Sequence, residues 1–217
     1  LSLRLDADNV NFFFNERDGT FPLYTEAVKL FNHRDSMVRV SVRVLTLNVF
    51  KVPAPALRRW LAERSAPAYF HALCALVRRL CLRLGALARA GAHTDRRRAD
   101  DCLAELSDML SYMQDVFDVG VPALSTLLAR SLVHSALVPV LLAALCPAAR
   151  VAPADRLPAR AALVLLANVF HTVRYAPVAN MLAELLFSRT PLASLHTLLP
   201  DVFPVTRPDA PPLAAHA

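Results

Sequence analysis

The sequence predicts an all-α protein, an armadillo- or HEAT-like helical solenoid, and three observations carry that prediction. Hydrophobic residues make up 55% of the 217 positions and charged residues 19%. A chain of that composition can bury a large core and is unlike a disordered one. Alanine and leucine, both strong helix formers, dominate. The 4 glycines stand alone at 19, 85, 91 and 120, too few for an architecture of tight hairpins. Finally, apolar residues recur every three or four positions in segments bounded by prolines or polar breaks, the pattern of stacked helical repeats.

Taken in order, Pro22 opens FPLYTEAVKLFNH, with Leu23, Ala27, Leu30 and Phe31 on one face. Asp35 and Ser36 can cap a second helix running to Lys51. This segment, SMVRVSVRVLTLNVF, also alternates Val38, Val40, Val42 and Val44 with polar residues, a strand signature. No second segment offers such a strand a partner, so context favours helix, with Met37, Val40, Val44 and Leu47 inward. Pro53 and Pro55 end that helix and start PALRRWLAERS. Pro67 then opens a long proline-free stretch. Its Phe70, Leu73, Cys74, Val77, Leu80 and Leu84 follow a helical period.

GAHTDRRRADD reads as a polar break, and CLAELSDMLSYMQDVFDVG as another helix. Between Arg130 and Arg150 runs a segment without formal charge, borderline in length for a membrane span. Ser131, His134, Ser135 and Pro139 within it favour a buried helix, so no transmembrane span is expected. PAARVAPADRLPAR is a loop, followed by helices in AALVLLANVFHTVRY and APVANMLAELLFS. The divisions are 1–199 for the helical domain and 200–217 for a Pro/Ala-rich flexible tail. LTLNVF at 45–50 is echoed by LLANVF ending at Phe170. The echo would place Asn48 and Asn168 on equivalent faces of repeated helices.

Signatures of catalysis are missing: there is no GxGxxG, GxxxxGK[ST], GxSxG or HExxH. The histidines never fall three or four apart, so no helix presents a two-histidine metal face. His71 and His171 lie within apolar helices and read as core residues. Cys74, Cys81, Cys102 and Cys146 form no CxxC, and Cys74 and Cys81 read as small buried hydrophobes. No cofactor and no metal is therefore expected. Asp101, Glu105 and Asp108 share a helical face that reads as solvated.

The 24 basic against 18 acidic residues give a net charge of +6, which suits an anionic partner without naming one. Basic residues cluster at Arg34/Arg39/Arg43, Arg58/Arg59, Arg78/Arg79/Arg83 and 96–98. A solvated face, an acidic protein and a lipid headgroup all remain open. Aromatic residues do not interleave these clusters, which argues against nucleic acid.

LSLRLDADNVNFFFNE followed by FPLYTEAVKLFNHRDSMVRVSVRVLTLNVFKV strongly resembles the FPL-domain family, and the likeness continues more weakly to about residue 190. In that family, helical sequence precedes the position of Leu1, so the chain is read as a piece of a longer protein. The resemblance implies a non-enzymatic adaptor or scaffold in endosomal membrane trafficking, lysosomal delivery, autophagy and mitophagy. It implies partners among trafficking and autophagy proteins, including a RING ubiquitin ligase. It also implies a cytoplasmic protein held peripherally on endosome or Golgi membranes. Two alternatives stand beside this: a regulatory subunit of a ubiquitin-ligase complex, and a basic module that binds phosphoinositides or membrane surfaces. The helix from Ser36 to Lys51 is the expected partner-binding surface, through Arg39, Arg43, Asn48 and Lys51. An arginine pair on one helix face suits carboxylates or phosphates.

Overall fold

A computed structural model describes residues 5–7, 9–90, 93–142, 144 and 157–187. Apart from an isolated bridge between Asn15 and Thr20, every regular element among them is helical. After a short 3-10 turn at Val10–Phe12 come α1 (Pro22–Lys29), α2 (Ser36–Lys51) and α3 (Pro55–Trp60). Next are α4 (Ala66–Ala90), α5 (His93–Asp118), α6 (Pro122–Leu132), α7 (Ala159–Thr172) and α8 (Ala176–Phe187). Prolines open α1, α3 and α6 near their first positions, where a missing N–H costs nothing. The expected tail, Cys146 and most of the 147–160 loop lie outside the described residues.

A π-helical turn, Leu61–Ser65, joins α3 to α4 without leaving helical dihedrals at either end. Residues 55–90 are therefore one rod. A second π-helical stretch, Val133–Leu142, prolongs α6 and contains Pro139, whose ring leaves no N–H for the backbone ladder. By length and composition Pro122–Leu141 could cross a membrane, yet 61% of it is buried inside the protein. Leu124, Leu128, Leu132, Leu137 and Leu141 are all at or below 1% exposure, and the rod packs on α4.

The centre is the pair α4 and α5, joined by a two-residue connection and packed along each other. Every residue of α4 expected on the inner face is buried, and so are Leu106, Leu110 and Met113 of α5. The polar break is shorter than expected. His93 to Asp100 form the first turns of α5, since Thr94 to Arg98 contain no residue that breaks a helix and Asp95 favours the helix start.

Both α1 and α2 are helices, but each turns a face to the core that differs from the expected one. In α1 and the turn after it the buried residue is Tyr24, with Val28 and Phe31 half-buried, whereas Leu23 and Leu30 are exposed. In α2 the core takes Val42, Thr46, Val49 and Phe50, while Met37, Val40 and Val44 are exposed. The cause is an aromatic layer that the local periodicity of α1 and α2 does not reveal. Phe14, Phe21, Tyr24, Phe50, Trp60 and Phe70 pack ring to ring at centroid distances of 5.6 to 6.3 Å. Phe21 and Tyr24 in this layer set the rotation of α1, and Phe50 sets that of α2. The Trp60 indole N–H donates to the carbonyl of Gly19 at 2.7 Å. Gly19 itself has φ +59°, a conformation that favours glycine. Of the three consecutive phenylalanines, Phe14 is buried here, Phe13 is half-buried and Phe12 is exposed.

Candidate functional site

The helix expected to meet partners, α2, is fixed at its start by Asp35, whose carboxylate accepts the backbone N–H of Met37 at 2.8 Å. That is an N-cap, and it closes one of the helix's open donors. Arg39 sits beside this start. Its Nη1 donates to the carbonyls of His33 at 2.8 Å and Arg34 at 3.0 Å, so it holds the turn between α1 and α2. Arg43 reaches the other way: its Nη1 pairs with Asp108 Oδ2 of α5 at 2.7 Å. Its guanidinium also lies 5.3 Å from the centroid of the Tyr112 ring, a cation–π arrangement. With 13% of its side chain exposed, Arg43 is part of the contact between α2 and α5.

Beneath Arg43 the Tyr112 and Tyr69 hydroxyls share a hydrogen bond of 2.8 Å, and Thr46 donates to the Val42 carbonyl at 2.6 Å. Burial pushes both tyrosine hydroxyls above their ordinary value, and it raises that of Tyr24 as well. These hydroxyls stay protonated and serve packing. Of the four residues expected to bind a partner, α2 therefore uses Arg39 and Arg43 within the fold. Asn48 is half-buried and Lys51 exposed. Neither arginine meets Glu26 or Asp35, since Glu26 pairs with Lys29 at 2.6 Å and Asp35 is the cap.

What sequence reasoning missed is the apolar outer side of this hairpin. A mostly apolar groove of about 310 Å³ lies between α1 and α2, lined by Ala27, Leu30, Met37, Val38, Ser41, Val42 and Leu45. Met37 is 70% exposed and Leu30 46%, and Val40 and Val44, each 49% exposed, extend the apolar surface along α2. The signal was present in the sequence, because α2 carries valines at every second position and hence on both sides of a helix.

Elsewhere the chemistry is structural. His71 and His171, expected in the core, are both exposed, because the buried stripe of each helix runs through other positions. Cys74, Cys81 and Cys102 are buried free thiols. Burial pushes the first two up to about 12, and an un-ionised thiol is inert as nucleophile or metal ligand. Among the described residues no group of three or more His, Cys, Asp or Glu could hold a metal ion. Asp101 and Glu105 are exposed. Asn168 bonds Ser107 at 2.8 Å and accepts from Thr172 at 3.2 Å, so it ties α7 to α5. Like Asn48 it is half-buried, and Val49 and Val169 that follow them are both buried, although Phe50 is buried and Phe170 is not.

Fold and surface together define an all-helical protein whose distinctive feature is an open apolar groove on its first helical hairpin. A family model named FPL, described as an uncharacterised conserved protein, matches residues 1–50. The opening fifty residues thus carry FPL-family sequence, and the groove lies within them. The chain is 37% identical over 149 residues to the Drosophila melanogaster protein CLEC16A homolog, covering 68% of this chain and 14% of that protein. It is 32% identical over 191 residues to human protein CLEC16A, covering 87% of this chain and 18% of that protein. To Arabidopsis thaliana protein TRANSPARENT TESTA 9 it is 28% identical over 176 residues, covering 77% and 20%. The chain spans 14% to 20% of the length of these relatives. No solved structure matches.

Proposed function

We propose that the chain is a non-enzymatic adaptor module, an armadillo- or HEAT-like stack of helices acting in endosomal membrane trafficking, lysosomal delivery and autophagy. The observation that carries the adaptor reading is the outer side of α2. It presents Met37, Val40 and Val44 to solvent on a helix whose opposite side is fully engaged in the core. Large exposed apolar surfaces on folded proteins mark interaction sites. The trafficking context rests on the likeness to the CLEC16A proteins and to the FPL family. On this reading α2 meets partners through its outer stripe, with Asn48 and Lys51 at its end, and Arg39 and Arg43 hold the helix in place. Partners are trafficking and autophagy proteins, a RING ubiquitin ligase among them, and the module sits on the cytoplasmic side of endosomes or the Golgi, peripherally.

Proximity labelling in cells tests this reading. Tagging the 217-residue chain should enrich endosomal, lysosomal and autophagy proteins, with a smaller set for Lys51→Glu. A labelled set drawn from the nucleus or the secretory lumen would overturn it.

A further inference from the structure

We infer that the cleft between α1 and the π-helical turn Leu61–Ser65 binds a single-chain amphiphile with one negative charge, of the fatty-acid class. The inference goes beyond the adaptor reading and does not depend on it. The observations behind it meet in one cavity.

The first is a preformed apolar cleft of about 390 Å³. Val28 and Phe31, from α1 and the turn after it, face Trp60, Ala68, Tyr69 and Ala72 of the rod 55–90. These walls are fixed from behind. The Gly19 carbonyl holds the Trp60 indole at 2.7 Å, and the Tyr69 hydroxyl shares a hydrogen bond with Tyr112 at 2.8 Å. The Phe31 ring stands edge-on to Tyr69 at a centroid distance of 6.1 Å. Small-molecule sites run from about 300 to 1,000 Å³, and walls already in place reduce the ordering that binding costs.

The second is the π-helical turn itself, which lends Ser65 and Arg64 to the cleft. Such turns are rare within helices and occur frequently at functional sites.

Charge names the head of the ligand. Lys29 from α1 and Arg64 from the rod line the cleft, and both are exposed. No carboxylate stands among the described residues that line it. Arg64 makes no ion pair among the described residues. Lys29 pairs with Glu26 at the surface, where 62% and 69% of the two side chains are exposed, a contact of small worth. A carboxylate at the mouth faces both cations while its chain lies against the apolar walls. One negative charge is the limit. Trp60 and Arg64 also line a second cavity of about 190 Å³, which adds Arg17 and Arg59 but also Glu16, Asp18 and Glu63. A head with several phosphates would meet those three carboxylates.

Trp60 is the single tryptophan of the chain, so its emission reads occupancy directly. Dodecanoate, kept below micelle formation, is titrated into the whole chain beside octanoate, dodecanol and dodecyltrimethylammonium. Saturable binding of dodecanoate is expected, with octanoate weaker by ~10-fold or more because each buried methylene adds affinity. Dodecanol and the quaternary amine should each be weaker than dodecanoate by ~5-fold or more. Lys29→Gln/Arg64→Gln should remove that preference and leave dodecanol binding unchanged. Ala68→Glu, at an exposed position, should abolish dodecanoate binding with circular dichroism unchanged. A flat titration, or dodecanoate binding that survives Ala68→Glu, would overturn the site. An equal response to the quaternary amine would overturn the head-group assignment, and competition by inositol trisphosphate would overturn the limit to one charge. Vesicles of phosphatidylcholine and phosphatidylglycerol distinguish the source of the chain. Sedimentation with them that the double variant abolishes, without a response to dodecanoate, would give the cleft to a bilayer lipid and overturn the free amphiphile.

Discussion

Helices α4 and α2 are both rich in apolar residues, yet they bury them differently. In α4 the stripe Phe70, Leu73, Cys74, Val77, Leu80 and Leu84 is buried throughout, and Arg78, Arg79 and Arg83 occupy the solvent side. In α2 apolar residues lie on both sides. Val42, Val49 and Phe50 face the core while Met37, Val40 and Val44 face solvent, and an arginine, Arg43, is drawn inward by Asp108 and Tyr112. A helix with one apolar stripe has one way to dock. Where there are two, the core takes whichever fits its neighbours and leaves the other stripe for a different contact.

The largest expected effects separate core from outer stripe. Leu73→Ala in α4, at 1% exposure, should cost about 2–5 kcal/mol in urea unfolding. A loss below about 1 kcal/mol would mean that α4 is not the centre of the core.

A pH series extends the contrast. Unfolded thiols ionise near their ordinary value of 9.0, whereas native Cys74 and Cys81 hold their protons to about 12. Between those values the unfolded chain binds fewer protons than the native one, so stability falls as pH rises. The contribution is fully present below pH 9, and Tyr24, Tyr69 and Tyr112, also raised by burial, steepen the fall at higher pH. Guanidinium midpoints should hold steady from pH 7 to pH 8.5 and then drop. The same thiols should resist iodoacetamide at pH 8 until the protein is unfolded.

Smaller still is the link between α2 and α5. Asp108→Ala leaves a mostly buried Arg43 without its carboxylate. With Asp108 itself 56% exposed, the expected loss is about 1 kcal/mol. An Arg43→Ala/Asp108→Ala cycle should show coupling, and strict additivity would mean that the ion pair is not made. Smallest of all, Met37→Ala on the outer stripe should change stability by no more than about 0.5 kcal/mol.

How far the sequence reveals this molecule follows from the same contrast. The helices from α3 onward were legible because a proline or a polar break bounds each. That α2 is a helix was also legible, from Asp35 as cap and from the lack of a strand partner. Its rotation was not, because the groups that fix it, Tyr24 and Phe70 against Phe50 and Asp108 and Tyr112 against Arg43, all lie outside the helix. The roles of Arg39 and Arg43 were hidden for the same reason. One is spent on carbonyls of the preceding turn and the other on α5. The histidines show the converse limit, since an apolar neighbourhood in sequence does not fix which side of the helix a residue occupies.

Which side of α2 faces inward can be decided by melting two variants side by side. Val49→Asp puts a carboxylate where exposure is 0% and should cost about 3 kcal/mol or more. Val40→Asp/Val44→Asp adds two carboxylates to the outer stripe and should shift stability by about 1 kcal/mol at most. A comparable loss in both, or a larger one in the outer pair, would contradict the two-faced helix and return α2 to the inward valines that its local sequence suggests.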